Sequence, residues 1–147
     1  MRVHLGSDHA GVELRRIFAE AITTWEHELV SETGPDRAED SVDYPDVAVL
    51  VCDRVLADPG SVGVLVCGTG QGMAMTANKI ANIRAAVVLD GFSARMVREH
   101  NDANVLCLGS RVAGSELAKL LLSTFLATEF AGGRHARRVA KIDAAGG

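Results

Sequence analysis

The stretch richest in chemistry is a cysteine followed by alternating glycines, Cys67-Gly68-Thr69-Gly70-Gln71-Gly72. It ends an apolar, β-branched run and opens a helical pattern, so it forms a strand-to-helix turn. There, successive backbone N–H groups and the helix dipole can converge on an anion. Glycine permits close approach and a positive φ in such a turn. A thiol at a strand end beside a helix N-terminus is favoured as the thiolate, which makes Cys67 a candidate base or nucleophile. Cys52 and Cys107 sit inside apolar runs and read as small core residues. Three cysteines do not form a disulfide framework.

Two other readings of the loop lose ground on one residue. A dinucleotide fingerprint, Gly-x-Gly-x-x-Gly with an acid about 20 residues on, is imitated by Gly68, Gly70 and Asp90, but its third glycine falls on Met73. A cysteine phosphatase would need an arginine at that same position. A turn without any ligand is the remaining plain alternative.

Other polar residues gather in short groups. Asp8 precedes His9 at the end of the first strand-like run, where a carboxylate beside an imidazole can fix its tautomer. Near the C-terminus Arg134 and Arg138, four residues apart, share a helix face with His135 close by, and paired guanidinium groups suit a phosphate. Arg111, at the end of another strand, strengthens that reading. His100-Asn101-Asp102 closes a helix, where Asn and Asp are also ordinary turn residues. His4 and His27 have no such setting. No His, Cys or Asp spacing resembles a zinc site, so neither metal nor cofactor is expected.

These residues need a frame to meet in. Strand-like runs at Arg2 to Gly6, Glu28 to Glu32, Val62 to Cys67, Arg84 to Leu89 and Asn104 to Gly109 alternate with helical patterns. The helices are expected at Val12 to Trp25, Tyr44 to Ala57, Gln71 to Ile80, Ser93 to His100, Ser115 to Phe130 and His135 to Asp143. Such alternation specifies an α/β fold, a five-stranded parallel sheet with helices on both faces. In that architecture ligands sit beyond the carboxyl ends of the strands, where the strand order reverses. With the order 2-1-3-4-5, Asp8, His9 and Cys67 meet at that point. The acidic segment from Thr33 to Asp43 reads as a solvated, mobile loop, and Ala144 to Gly147 as a frayed tail.

The 147 residues, 48% hydrophobic, are expected to form one domain, 1–147. A net charge of -4 with interspersed signs gives no footprint for nucleic acid or an anionic membrane. No apolar run approaches the roughly 20 residues a bilayer requires. No signal peptide precedes the first strand-like run, so a cytoplasmic location is expected.

Taken together, six ordered motifs resemble type B ribose-5-phosphate isomerases, a family that includes galactose-6-phosphate isomerase subunits. They are Gly6-Ser7-Asp8-His9-Ala10-Gly11, Asp43-Tyr44-Pro45, the Cys67 loop with Ala77-Asn78-Lys79, His100-Asn101-Asp102-Ala103-Asn104-Val105, Gly109-Ser110-Arg111 and Gly132-Gly133-Arg134-His135. The resemblance implies a Rossmann-like three-layer α/β/α sandwich, acting as a homodimer or dimer of dimers with sites shared between subunits. It implies interconversion of ribose 5-phosphate and ribulose 5-phosphate, with Cys67 taking the C2 proton. Thr69 and the amides of Gly68 to Gly72, including Gly70, would stabilise the enediolate. His100 with Asp8 would open the sugar ring, and Asn101 would hold hydroxyls. His9, Arg111, Arg134 and Arg138 would bind phosphate, with His135 nearby. Some members use a glutamate beyond the loop, but here Met73-Ala74-Met75 offers no acid. Asn82 replaces a glycine common in the family, and Asn tolerates the left-handed conformation. A six-carbon sugar phosphate, such as allose or galactose 6-phosphate, is the alternative substrate. A non-catalytic binding module for sugar phosphates or nucleotides is the alternative function.

Overall fold

The computed structural model describes residues 1–146. Five parallel strands, β1 (Arg2–Ser7), β2 (Glu28–Thr33), β3 (Val62–Cys67), β4 (Ala85–Val87) and β5 (Val105–Gly109), form one sheet. Six helices connect and follow them: α1 (Val12–Thr24), α2 (Tyr44–Ala57), α3 (Gln71–Ala77), α4 (Gly91–Glu99), α5 (Ser115–Ala127) and α6 (Arg134–Gly146). A 3-10 turn, His9–Gly11, links β1 to α1.

The strand alternation sorts side chains into two cores. Val64 and Val66 join Val3, Leu5, Phe18, Leu106, Leu121 and Phe125 on the face covered by α1, α4 and α5. Leu65 and Cys67 point the other way, to Val51, Cys52, Met73, Val105 and Cys107 beneath α2 and α3. Period-two patterning of a doubly covered sheet produces this division.

The sheet order is β2-β1-β3-β5-β4, which corrects the expected 2-1-3-4-5. β5 is buried along its whole length and takes the inner place beside β3, whereas the three residues of β4 are half-buried at the edge. The reversal between β1 and β3 is unaffected. Other corrections are local. α3 stops at Ala77 because the Asn78 side chain turns to the sheet edge, pairing its Nδ2 with the Ala85 carbonyl and its Oδ1 with the Ala85 N–H, both at 2.8 Å. α4 begins earlier than expected, capped by Asp90, whose carboxylate accepts the Ser93 N–H at 2.8 Å. Ala144 to Gly146, expected to fray, belong to α6; Gly147 lies outside the described residues. Asn82 does adopt the left-handed conformation, at φ 66°.

α6 is held mainly by charge. Arg84 at the foot of β4 donates to both carboxylate oxygens of Asp143, at 2.9 and 3.1 Å, and to Asp102 at 3.3 Å. Val139 is its one buried residue among those described. No helix among the described residues is long and apolar enough to cross a membrane.

Candidate active site

At the carboxyl end of the sheet the backbone itself draws the residues together. The Asp8 N–H donates to the Val66 carbonyl at 3.2 Å, and the Ser110 N–H to the Cys67 carbonyl at 2.8 Å. Arg111 N–H reaches the Gly68 carbonyl at 3.0 Å, and the Ser110 hydroxyl reaches the Ala10 carbonyl at 2.8 Å. Asp8, His9, Cys67, Gly68 and Arg111 are thereby gathered around one point, as the reversal of strand order requires.

Cys67 is only 5% exposed, and its Sγ accepts the Gly70 N–H at 3.1 Å. That geometry depends on Gly70 holding φ at +79°, where a Cβ would also press on the Leu108 backbone at 3.0 Å. Thr69 Oγ1 accepts the Gln71 N–H at 3.3 Å. Two loop amides are thus turned inward, one onto the sulfur and one onto the threonine. The other two thiols are fully buried. Burial drives the Cys52 thiol up to about 12, helped by Asp53, and burial also pushes Cys107 well above the usual range. Both are core residues, as expected.

Asp8 does not orient His9 in the way its position suggests. Its Oδ1 is committed to the N–H groups of Ala10 and Gly11, at 3.0 and 3.2 Å, capping the 3-10 turn. The His9 ring is fixed instead by the Val42 N–H, which donates to Nδ1 at 3.2 Å. Sequence reasoning missed this backbone donor, because nothing in a valine marks it.

Tyr44 was also missed as a site neighbour. Its ring lies where a side chain on Gly72 would be, 2.2 Å from an ideal Cβ, so it covers the glycine loop. An aromatic beside Pro45 at the start of a helix is the signal that was available.

The remaining expected residues lie elsewhere. α4 runs back from the carboxyl end of the sheet, so His100 and Asn101, just past its end, stand at the amino ends of the strands. His135 stacks on His100 with ring centroids 4.2 Å apart and planes 11° apart. Arg134 and Arg138 flank His135 on the same exposed helix. Desolvation, followed by His100, Arg134 and Arg138, holds the His135 imidazole below its ordinary pKa. Within one chain the two groups are separated by the length of β3 and β5, on the order of 15–20 Å. One pole carries Cys67, Asp8, His9 and Arg111, and the other carries His100, Asn101, His135 and the two arginines.

Comparison with known proteins places the architecture. Residues 3–142 match the model of the Ribose/Galactose Isomerase family. The chain belongs to this family. Ribose-5-phosphate isomerase B of Escherichia coli is 38% identical to it, over 97% of this chain and 95% of that one. The solved ribose-5-phosphate isomerase B of Clostridium thermocellum superposes with a TM-score of 0.94 at 45% identity, covering 99% of this chain and 97% of that one. The Thermotoga maritima ribose 5-phosphate isomerase gives 0.90 at 43% identity, covering 97% of each chain. These matches span both poles. The protein is therefore a sugar-phosphate isomerase with a Rossmann-like fold.

Proposed function

We propose that this enzyme interconverts D-ribose 5-phosphate and D-ribulose 5-phosphate, with Cys67 as the base. The observation that carries the reading is the Cys67 sulfur, which accepts the Gly70 N–H at the start of a glycine loop, with the Arg111 N–H on the Gly68 carbonyl and the Asp8 N–H on the Val66 carbonyl beside it. The thiolate removes the C2 proton of the open aldose, and the electron pair moves through C1 onto O1. Returning that proton to C1, while the O2 proton passes to O1, gives the ketose. The intermediate is an enediolate, and preorganised N–H donors are the usual means of stabilising its oxygen. The amides of Gly68 and Gly72 and the Thr69 hydroxyl donate to it, while the Gly70 N–H holds the sulfur and moves to the oxyanion only as the sulfur takes up the proton.

Ring opening and phosphate binding need groups from the second pole. His100, with Asp8 acting through Oδ2, opens the furanose, and Asn101 holds sugar hydroxyls. His9, Arg111, Arg134 and Arg138 bind the phosphate, with His135 beside them. Since one chain carries these groups at opposite ends of its sheet, a complete site takes the Cys67 pole from one copy and the His100 pole from another. A homodimer, or a dimer of dimers, satisfies this. No step calls for a metal or redox cofactor, because a proton moves between adjacent carbons of one substrate. The cytoplasm, where sugar phosphates are metabolised, is the expected compartment.

Replacing Cys67 by Ala is expected to lower turnover of ribose 5-phosphate by about 100- to 10,000-fold, the usual contribution of a general base. Undiminished turnover in that variant would remove the proposed chemistry. Assays with allose 6-phosphate and galactose 6-phosphate in parallel decide the sugar; a higher kcat/KM for either would replace the five-carbon reading.

A further inference from the structure

The segment from Gly34 to Val42, which connects β2 to α2, is fastened at both ends. Arg15 of α1, 4% exposed, places one N–H of each guanidinium nitrogen on a different element. Nη1 donates to Ser7 Oγ at 2.8 Å, Nε to Glu32 Oε1 at 2.9 Å and Nη2 to the Pro35 carbonyl at 2.6 Å. Gly34 holds φ at +137°, and a Cβ there would stand 2.1 Å from Arg15 Nη1 and 2.3 Å from the Ser7 carbonyl oxygen. The segment therefore lies directly on the guanidinium. Arg16 donates to the next carbonyl, that of Asp36. An Arg37–Asp40 ion pair at 2.8 Å closes a turn in the middle, with the Asp40 N–H on the Arg37 carbonyl at 3.1 Å. At the far end Val42 packs against the second core, and its N–H meets His9 Nδ1.

A ring nitrogen that accepts a hydrogen bond carries no proton, so His9 is held with its proton on Nε2. That leaves Nε2 as a donor, ready for an oxyanion. We propose that Arg15 is a positioning residue for His9, acting through segment 34–42 to fix the Val42 amide and so the tautomer and aim of the ring. Three fixed acceptors at three angles call for the planar fork of arginine, which the single ammonium of lysine does not reproduce. The inference rests on the reading of His9 as a phosphate ligand.

The test uses the full-length protein with ribose 5-phosphate as substrate and ¹⁵N NMR of the His9 ring. Arg15→Lys keeps the charge, Val42→Pro removes the donor itself, and circular dichroism selects the folded variants. Both are expected to lose the pure Nε2–H tautomer and to raise KM roughly five- to tenfold, the loss of one hydrogen bond, with kcat within about twofold. An unchanged tautomer with unchanged KM in folded Arg15→Lys would overturn the proposal, as would a fall in kcat at constant KM. His9→Ala separates the two layers. If it leaves KM untouched, the phosphate role of His9 is wrong, and the tautomer of Arg15→Lys still decides the link to Arg15.

Discussion

At the scale of single residues, the chain distinguishes its three thiols by placement. Cys52 and Cys107 are enclosed by apolar side chains, and burial penalises their charged forms. Cys67 is buried in the same cluster, but it alone has an amide donor on its sulfur and stands at the sheet's carboxyl end. Brief treatment of the native protein with iodoacetamide is expected to alkylate Cys67 alone, and all three thiols after denaturation. Peptide mass spectrometry reads this directly, and equal labelling of Cys52 or Cys107 in the native protein would contradict it. The alternate glycines and the neighbouring cysteine were legible because each residue type has a narrow physical use. The Val42 amide and the Tyr44 ring were not, since their roles come from where the backbone path brings them.

Among the elements, the outline was legible in hydrophobic period, and the errors fall where side chains compete for backbone. Asn78 ends α3 by pairing with Ala85, an edge contact no periodicity encodes. The places of β4 and β5 were exchanged because Arg84 to Leu89 and Asn104 to Gly109 are similarly apolar as runs of letters. Their depth depends on a competition for the position beside β3, and the longer, fully buried strand holds it. A small ion-pair cluster fastens the opposite corner of the sheet. Arg2 donates to Asp58 at 2.8 Å and His4 Nε2 lies 3.2 Å from the same carboxylate, joining β1 to the turn before β3. The hydrogen bond from Arg2, with help from His4, holds Asp58 below its ordinary value of 3.8. A depressed carboxylate stabilises the fold above that ordinary value and loses this contribution as pH falls through the depressed one. Asp58→Asn is therefore expected to melt below the wild type near neutral pH and together with it in strong acid. A gap that persists or widens in acid, by calorimetry, would contradict this.

For the whole molecule, the consequence of the fold is polarity. The alternation of strand and helix sends Cys67, Asp8, His9 and Arg111 to one end of the sheet. It sends His100 and Asn101, with α6 beside them, to the other. The sequence alone contains both sets and orders them, but the distance between them arises only when α4 runs back along β5. On the proposed assignment of roles, neither set alone both binds the phosphate and moves the proton, so the proposal requires two copies to pair. The decisive measurement mixes two inactive variants, Cys67→Ala and His100→Ala, refolded together in equal amounts. Half of the random dimers pair one of each, and each such dimer restores one of its two sites, so isomerase activity of about a quarter of the wild type is predicted. Activity in the mixture no higher than in the separate variants would contradict a site shared between copies.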